Sequence, residues 1–474
     1  MKEKSGVFLV YILCAGLIMA LTGCFKEDFS SSSADRLSFS TDSIRFDTIF
    51  TQQGTATKIF KVYNRNDKAL LISSIVIANA ANTGFFINVD GSKGPDIYNI
   101  EVSAHDSIFV FVEAKVNPSN QNKPLLIKDS IIFITNGVRD DIKLQAYGQD
   151  AVLLKDVEIT DGTVRYTSDK PYIVYDTLAV REGATLVLEP GARLFFHDKA
   201  KLVVEGKIIA AGGEKNPVVL RGDRTDNMFS YLPYDRLPGQ WKGVYIRKMS
   251  YDNVFDYVHM RGTVDGLVLD SSDVSREKIK ISNSILHNSK NNLLTVNQSR
   301  LSVWNSEISN GSGALIWMTG GVANLLQCTL ANYFSLFDNI HSQLLVFDRF
   351  DDKTLITPPQ IVLDNCIIIG STSIMSPANI DGLPILFRSC MFGVAGSDDA
   401  NFINSVWKGN PMFNLVGGKE YIYDYRIGTS ESSVFHAGDE SLLTNSARRD
   451  MYGTERPYGQ RPDIGAYQIP LPKQ

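Results

Sequence analysis

The sequence predicts an all-β chain, with a β-sandwich preceding a parallel β-helix, and three observations carry that prediction. A short pattern recurs between Ile279 and Phe392, each copy alternates apolar and variable residues, and no amphipathic helical stripe fits inside one repeat. The copies are IKISNSIL from Ile279, LSVWNSEI from Leu301, ANLLQCTL from Ala323, IVLDNCII from Ile361 and ILFRSCMF from Ile385. Their sixth residues, Ser284, Ser306, Cys328, Cys366 and Cys390, lie 22, 22, 38 and 24 residues apart. The first and third places are mostly apolar, which marks a strand with one buried face. Asn283, Asn305, Gln327, Asn365 or Ser389 then supplies a polar turn before another short apolar run, so each copy reads as strand, corner, strand. Such a unit of about 22 residues is one coil of a parallel β-helix, stacked on the next at roughly 4.8 Å. Equivalent residues form ladders: aliphatics, a Ser/Cys column, and an Asn/Gln column whose amides can bond from rung to rung.

Length and composition bound the rest. The 474 residues have room for two or three domains, and 44% apolar with 21% charged residues is ordinary for a folded chain. The net charge of −5 becomes −6 without the first 23 residues, which hold Lys2, Lys4 and Glu3. With no basic stripe, nucleic acid is excluded as a partner. Of the five cysteines, Cys14 lies in the leader and Cys24 at its end. The other three share a column with serines, so they read as small buried residues, not as a metal or disulfide site.

In chain order, residues 1–23 form a signal peptide: Lys2 and Lys4, then an apolar core from Val7 to Leu21 too short for a good transmembrane helix. Leu21-Thr-Gly-Cys24 resembles the bacterial lipobox, which implies cleavage before Cys24, lipid on its thiol and a membrane anchor. Phe25-Lys-Glu-Asp28 resembles the acidic stretch that sends Bacteroidetes lipoproteins to the outer face of the outer membrane. Residues 24–35, with Ser30 to Ser33, form a flexible tether.

Residues 36–150 change texture. Alternating runs at Lys58–Tyr63, Leu70–Val76, Ser107–Val112 and Ser130–Ile134 are separated by turn clusters such as Asn136-Gly137. Seven or so strands without a helical stripe predict the sandwich. VYNRNDKALLISSI, HDSIFVFVEAKVNP, DSIIFITNG and LQAYGQDA resemble the immunoglobulin-like modules of the ASPM/SPD-2/hydin type, implying a spacer or adhesive role.

Residues 151–400 are assigned to the β-helix. GATLVLEPGARLFFHDKAKLVVEGKIIAAGGEKNPVVLRG, GQWKGVYI and NVFDYVHM resemble coils of the pectate-lyase-like superfamily, which implies right-handed winding. Asp223 to Gln240 interrupts the winding, and so do 16 extra residues between Leu330 and Ile361. Insertions in solenoids map to one face, often the binding face. Residues 401–474 lose the frame and end on Arg461-Pro-Asp-Ile-Gly-Ala-Tyr467. That end resembles the segment closing many secreted β-helix proteins, with Gln468 where Glu is usual, and it predicts a C-terminal cap over the open end.

Chemistry is sparse. No Walker loop, HExxH, GxSxG, CxxC pair, EF-hand loop or dinucleotide fingerprint occurs. The superfamily resemblance implies polysaccharide lyases and glycoside hydrolases as relatives. A lyase needs a base beside a uronate and cations to neutralise its carboxylate. Arg261 and His287, equivalent places on successive coils, and Lys248 upstream are the candidates, although their place past the last apolar position suggests a solvated turn. Ca²⁺ enters only with that chemistry; otherwise no cofactor or metal is expected. A hydrolase needs paired carboxylates on one face, whereas Asp265, Asp270 and Asp273 crowd one loop. Asp348, Asp351 and Asp352 read as a soluble acidic loop. For binding, sugars stack on exposed aromatics, and Tyr231, Tyr234, Tyr333 and Phe350 in the insertions are the candidate ligand-binding residues. The reading is an outer-membrane, surface-exposed lipoprotein, held in the membrane through Cys24, that binds glycan or envelope proteins without catalysis. The alternatives are a polysaccharide lyase or hydrolase, and a structural spacer in an envelope complex.

Overall fold

A computed structural model describes residues 28–51, 54, 57–336, 343–348, 357–376, 380–418 and 420–470. The leader, Cys24 and Phe350 lie outside the described residues. Among the described residues the regular structure is almost entirely β-strand, and the chain divides into two compact units between Gln149 and Asp150.

In the first unit two five-stranded sheets close on one apolar core. One sheet places Ser107–Ala114 at its centre, between Lys58–Asn64 and Phe85–Val89. The other centres on Leu125–Thr135, flanked by Leu70–Ile77 and Val138–Gln149. Ten strands form where about seven were expected, because short segments such as Leu37–Phe39 and Ser92–Gly94 pair at the edges. Ser43–Phe50 joins Val138–Gln149 in parallel, a long-range pairing that alternation alone does not encode.

The second unit is a stack of large parallel sheets of the kind a β-helix winds. The long strand Tyr172–Val180 belongs to two wings at once, pairing Arg193–Phe196 through its first half and Lys201–Val204 through its second. The first wing continues through Val218–Gly222, Val258–Thr263, Ile285–Ser289, Glu307–Gly311, Thr329–Asn332 and Ile367–Gly370. The second continues through Gly243–Ile246, Leu267–Leu269, Leu294–Val296, Ile316–Met318 and Leu345–Phe347. A third parallel sheet carries the repeat, with Ile279 paired to Leu301, Leu301 to Ala323, Ala323 to Ile361 and Ile361 to Ile385. Inward side chains from all three make one continuous core.

The corner residues show why the repeat has its polar place. Asn283, Asn305, Gln327, Asn365 and Ser389 all adopt φ near +50°, a left-handed turn that Asn tolerates well. Asn305 Nδ2 donates to Asn283 Oδ1 at 3.2 Å, one rung below. The Gln327 amide is satisfied when its nitrogen faces the carbonyls of Asp463 and Gly465 and its oxygen accepts from Asn365. In the next column each side chain takes an N–H from the rung before: Val258 N donates to Ser284 Oγ, Ser284 N to Ser306 Oγ and Cys328 N to Cys366 Sγ. Cys328, Cys366 and Cys390 are buried free thiols, and burial pushes Cys328 and Cys366 well above the usual thiol range. A maleimide is therefore expected to label none of the three in the native chain from Phe25 to Gln474, and all three in denaturant. Labelling of the native form at a rate like that of a free thiol would contradict this packing.

The C-terminal segment does more than close an end. Phe402 stacks on Phe387 at 4.9 Å and Trp407 on Phe392 at 4.7 Å, over the last rungs. From about residue 410 onward the chain instead lies along the outward face of the first wing. Tyr425 Oη donates to Asn310 Oδ1, Ala466 N to Thr329 Oγ1, and Tyr467 Oη to Glu307 Oε2. Gly465 sits at φ +102°, where an added Cβ would stand 2.6 Å from the Ile367 side chain. The predicted cap is thus mostly a lateral cover. The reason is chemical: Ala331, Ile367, Ile369 and Met391 make the outward places of these rungs apolar, and an apolar sheet face must be buried.

Candidate functional site

Two regions of the second unit deserve comparison, one closed and one open. The closed one holds the sequence's catalytic candidates. Arg261 and His287 are not in a solvated turn; they are paired neighbours on adjacent strands of the first wing, pointing outward. Asp223 to Gln240 folds over them, and its 3₁₀ turn Tyr234–Arg236 brings Asp235 onto Arg261. Arg261 Nε and Nη2 donate to Asp235 Oδ1 and Oδ2 at 2.7 and 2.9 Å, and Arg221 Nε lies 3.0 Å from Oδ1. Asn288 Nδ2 ties Arg236 O to the same wing at 3.1 Å. Burial works against the Asp235 charge, but Arg261 and Arg221 hold its carboxyl below the usual range. Burial, with Arg261 second, depresses His259 to about 4 and His287 to about 3, while burial pushes Arg221 down to about 10. No water-sized space remains beside Arg221, Asp235 and Arg261. This cluster fastens the insertion; it offers no room for a sugar. Lys248 is elsewhere, exposed in the turn after Gly243–Ile246 of the second wing.

The cluster makes stability depend on pH. The unfolded chain binds protons at His259 and His287 from about pH 6.5, whereas the folded chain resists until pH 4 and 3. Stability is then full above about pH 6.5 and falls as the pH drops towards those values. His287→Gln is expected to lose less stability than the parent between neutral pH and about pH 4.5. Equal acid sensitivity of parent and variant in denaturant titrations would remove His287 from this account.

The open region lies on the second wing. Its outward column runs Val203, Tyr245, Val268, Thr295, Trp317 and Val346, one residue per rung. At about 4.8 Å per rung, Tyr245 and Trp317 stand about 14 Å apart, separated only by Val268 and Thr295. A cavity of about 580 Å³ opens over Tyr245, Val268 and Thr295 of this column, walled by Asp265, Lys290, Asn291, Asn292, Ser312 and Gly313 from successive corners. The wall is ordered from within. Tyr245 Oη donates to Asp265 Oδ2 at 2.6 Å, Asn291 Nδ2 donates to Asp265 Oδ1 at 2.8 Å, and Asn292 Oδ1 accepts from Ala314 N at 3.0 Å. Burial, then Asp265, raises the Tyr245 phenol above its ordinary range, so the ring stays neutral. On the far side Arg247 pairs with Asp270 at 3.2 Å and Thr319 Oγ1 donates to Asn297 Oδ1 at 3.0 Å. A partly buried tyrosine in the groove, small residues beside it, oriented amides alongside and a partly buried tryptophan one rung beyond suit a sugar chain lying across the rungs.

The predicted aromatics fare differently. Tyr231 is 51% exposed and stacks on Phe229 in the hairpin tip of the insertion. That insertion leaves the same corner that walls the cavity: Gly239 and Gln240 donate to the carbonyls of Thr263 and Gly262. Tyr234 has its face taken by the Arg224 guanidinium, 3.9 Å from the ring centre. Tyr333 packs on Tyr425, and its carbonyl accepts from Tyr423 Oη, so it serves the lateral cover. Asp265 and Asp270 each hold a partner on opposite sides of the groove, not a shared loop site. Among the described residues no three carboxylate, imidazole or thiol groups converge as a metal site. Tyr245 and Trp317 escaped sequence reasoning, though a signal existed: both fill the outward place of short alternating runs, GVYI and LIWM.

No protein-family model matches the chain, and no curated protein matches it. Among solved structures, a family 123 glycoside hydrolase from Clostridium perfringens aligns at 7% identity and TM-score 0.17, over 24% of this chain and 26% of the hydrolase. The chain thus spans about a quarter of that enzyme's length. A PapD-like domain of human CEP192 aligns at 10% identity and TM-score 0.16, over 26% of this chain and 90% of the domain. A mutant of the periplasmic alginate epimerase AlgG aligns at 11% identity and TM-score 0.15, over 51% of this chain and 75% of the epimerase. At these scores none of the three bears on what this chain binds.

Proposed function

We propose that the chain is a surface-exposed outer-membrane lipoprotein that binds polysaccharide along the open face of its second wing, without cleaving it. In this reading Cys24 carries the lipid, the first unit is an immunoglobulin-like spacer, and the second is a right-handed β-helix with coils of about 22 residues. The observation that supports binding most directly is the groove floored by Tyr245, Val268 and Thr295 and walled by ordered amides, with Trp317 on the rung that follows Thr295. What disfavours catalysis is the closure of the Arg261–His287 cluster under its insertion.

The test is retardation of the chain from Phe25 to Gln474 in gels holding uronate-containing or neutral polysaccharides, with and without Ca²⁺. Trp317→Ala and Tyr245→Ala are each expected to weaken retention by about tenfold, the upper range for one aromatic contact. Retention in any gel that is unchanged in both variants would move the site off this face. New reducing ends or unsaturated sugars in the same incubations would replace binding with the lyase or hydrolase reading.

A further inference from the structure

The first unit has an apolar surface that its own core does not use. Its central strand Ser107–Ala114 reads SIFVFVEA, with Val110 and Val112 in the core and Phe109 and Phe111 on the outer face. A strand that is apolar on both faces calls for cover on both. Ile59 stands opposite Phe111, Lys61 opposite Phe109, Asn88 opposite Phe111 and Phe86 opposite Glu113. Ile59, Phe86 and Phe109 are 53%, 49% and 46% exposed. Cations border these rings: Lys61 Nζ lies 4.7 Å from the Phe109 ring centre, the Arg65 guanidinium 5.2 Å from that of Tyr63, and Lys93 is exposed opposite Asn88. The one carboxylate among these outward places, Glu113, accepts from Thr57 Oγ1 at 2.7 Å. Beside it a cavity of about 460 Å³ is lined by Phe86, Phe111, Pro95 and Lys93.

We propose that this outer sheet face is a membrane-contacting surface, seating its aromatics among the headgroups of anionic phospholipid. Chain length supports the occupant, and this step rests on the reading of Cys24 as the lipid anchor. Ser30 N already donates to Ala69 O, so the chain is fixed to the first unit from that point. Ser30 lies six positions after Cys24, a stretch that spans at most about 20 Å when fully extended. The anchor therefore holds this unit against the bilayer. Ala69 lies in the connection between Lys58–Asn64, the strand that carries Ile59, Lys61 and Tyr63 on the outer face, and Leu70–Ile77 of the other sheet. Aromatic rings favour the membrane–water interface, and lysine or arginine near it is drawn to anionic lipid.

Flotation of the chain from Phe25 to Gln474, which carries no lipid, reads the surface alone. The chain is expected to float with vesicles of equal parts neutral and anionic phospholipid, and to float poorly with neutral ones. Phe86→Ser with Phe109→Ser should reduce partition by about tenfold or more. Lys61→Glu and Lys93→Glu should each reduce it by about fivefold, in a salt-sensitive way. Phe86, Phe109 and Lys93 are exposed and Lys61 is half-buried on the same face, so unchanged thermal unfolding serves as the folding control. No flotation of the parent, or equal flotation of the variants, overturns the surface. So does a photo-cross-linker at position 109 of the cell-borne lipoprotein that captures a protein and not phospholipid. Metabolic labelling of the whole chain with fatty acid, with and without Cys24→Ala, reads the anchor separately.

Discussion

Arg456→Ala is expected to destabilise the second unit by about 3–5 kcal/mol, the range for removing one member of a buried charged network. Arg456 is fully buried, and its guanidinium is held by five acceptors. Nε donates to Ala447 O at 3.0 Å, Nη1 to Gln468 Oε1 at 3.4 Å, and Nη2 to Asn305 Oδ1 at 3.0 Å and to the carbonyls of Gly465 and Ala466. Burial lowers its affinity for the proton to about 10, while Asp450 and Asp463 oppose that shift. Alanine would strand those acceptors and leave the two carboxylates without their cation, each stranded group costing about 1–3 kcal/mol. Arg456→Lys keeps the charge but not the planar fork, so it should recover only part of the loss. All four tryptophans, Trp241, Trp304, Trp317 and Trp407, lie after residue 150, so their fluorescence in urea reports this unit without the first. A shift below about 1 kcal/mol for Arg456→Ala would mean that the lateral cover is held by its apolar contacts alone.

Trp241→Ala should cost a similar amount, about 3–5 kcal/mol, through a different term. The indole has no exposed surface and stacks on Phe196 at 4.0 Å with the rings 9° from parallel. Its Nε1 donates to Arg261 O at 2.8 Å, on the strand beneath the insertion. Truncation removes both the packing and the donor, at the point where the insertion rejoins the stack. Trp241→Phe retains most of the apolar volume, so its smaller deficit isolates the hydrogen bond, worth about 0.5–1.5 kcal/mol. If Phe proved as damaging as Ala, the hydrogen bond and not the packing would dominate this corner.

Both residues show where sequence reading stops. Trp241 stands beside a recognisable fragment, GQWKGVYI, and alternation alone puts it at a strand entry. Arg456 lies in the terminal region read as an end cap, and nothing in its spacing says that it reaches Asn305, 151 residues earlier. The run Ile367-Ile368-Ile369 did carry a hint, because unbroken apolar residues mark a strand buried on both faces. The catalytic candidates were placed correctly as rung neighbours by the repeat frame, since Arg261 does pair with His287. Their burial followed from Asp235, which no periodicity connects to them. Tyr333 is covered for the same reason, by Tyr425 from far along the chain, whereas Tyr234 is covered by Arg224 of its own insertion.

By itself the sequence determined that this is a β-rich chain whose second unit stacks parallel strands, because inward packing, corner geometry and rung-to-rung bonding repeat in register and leave periodic residues. Only the tertiary structure decided which outward residues meet water. Outward places carry no common repeat, and their exposure depends on segments returning from far along the chain: Asp235 closes over Arg261, and Tyr467 reaches Glu307 across 160 residues. The column from Tyr245 to Thr295 keeps an open face because none of the described segments returns to fill the cavity above it.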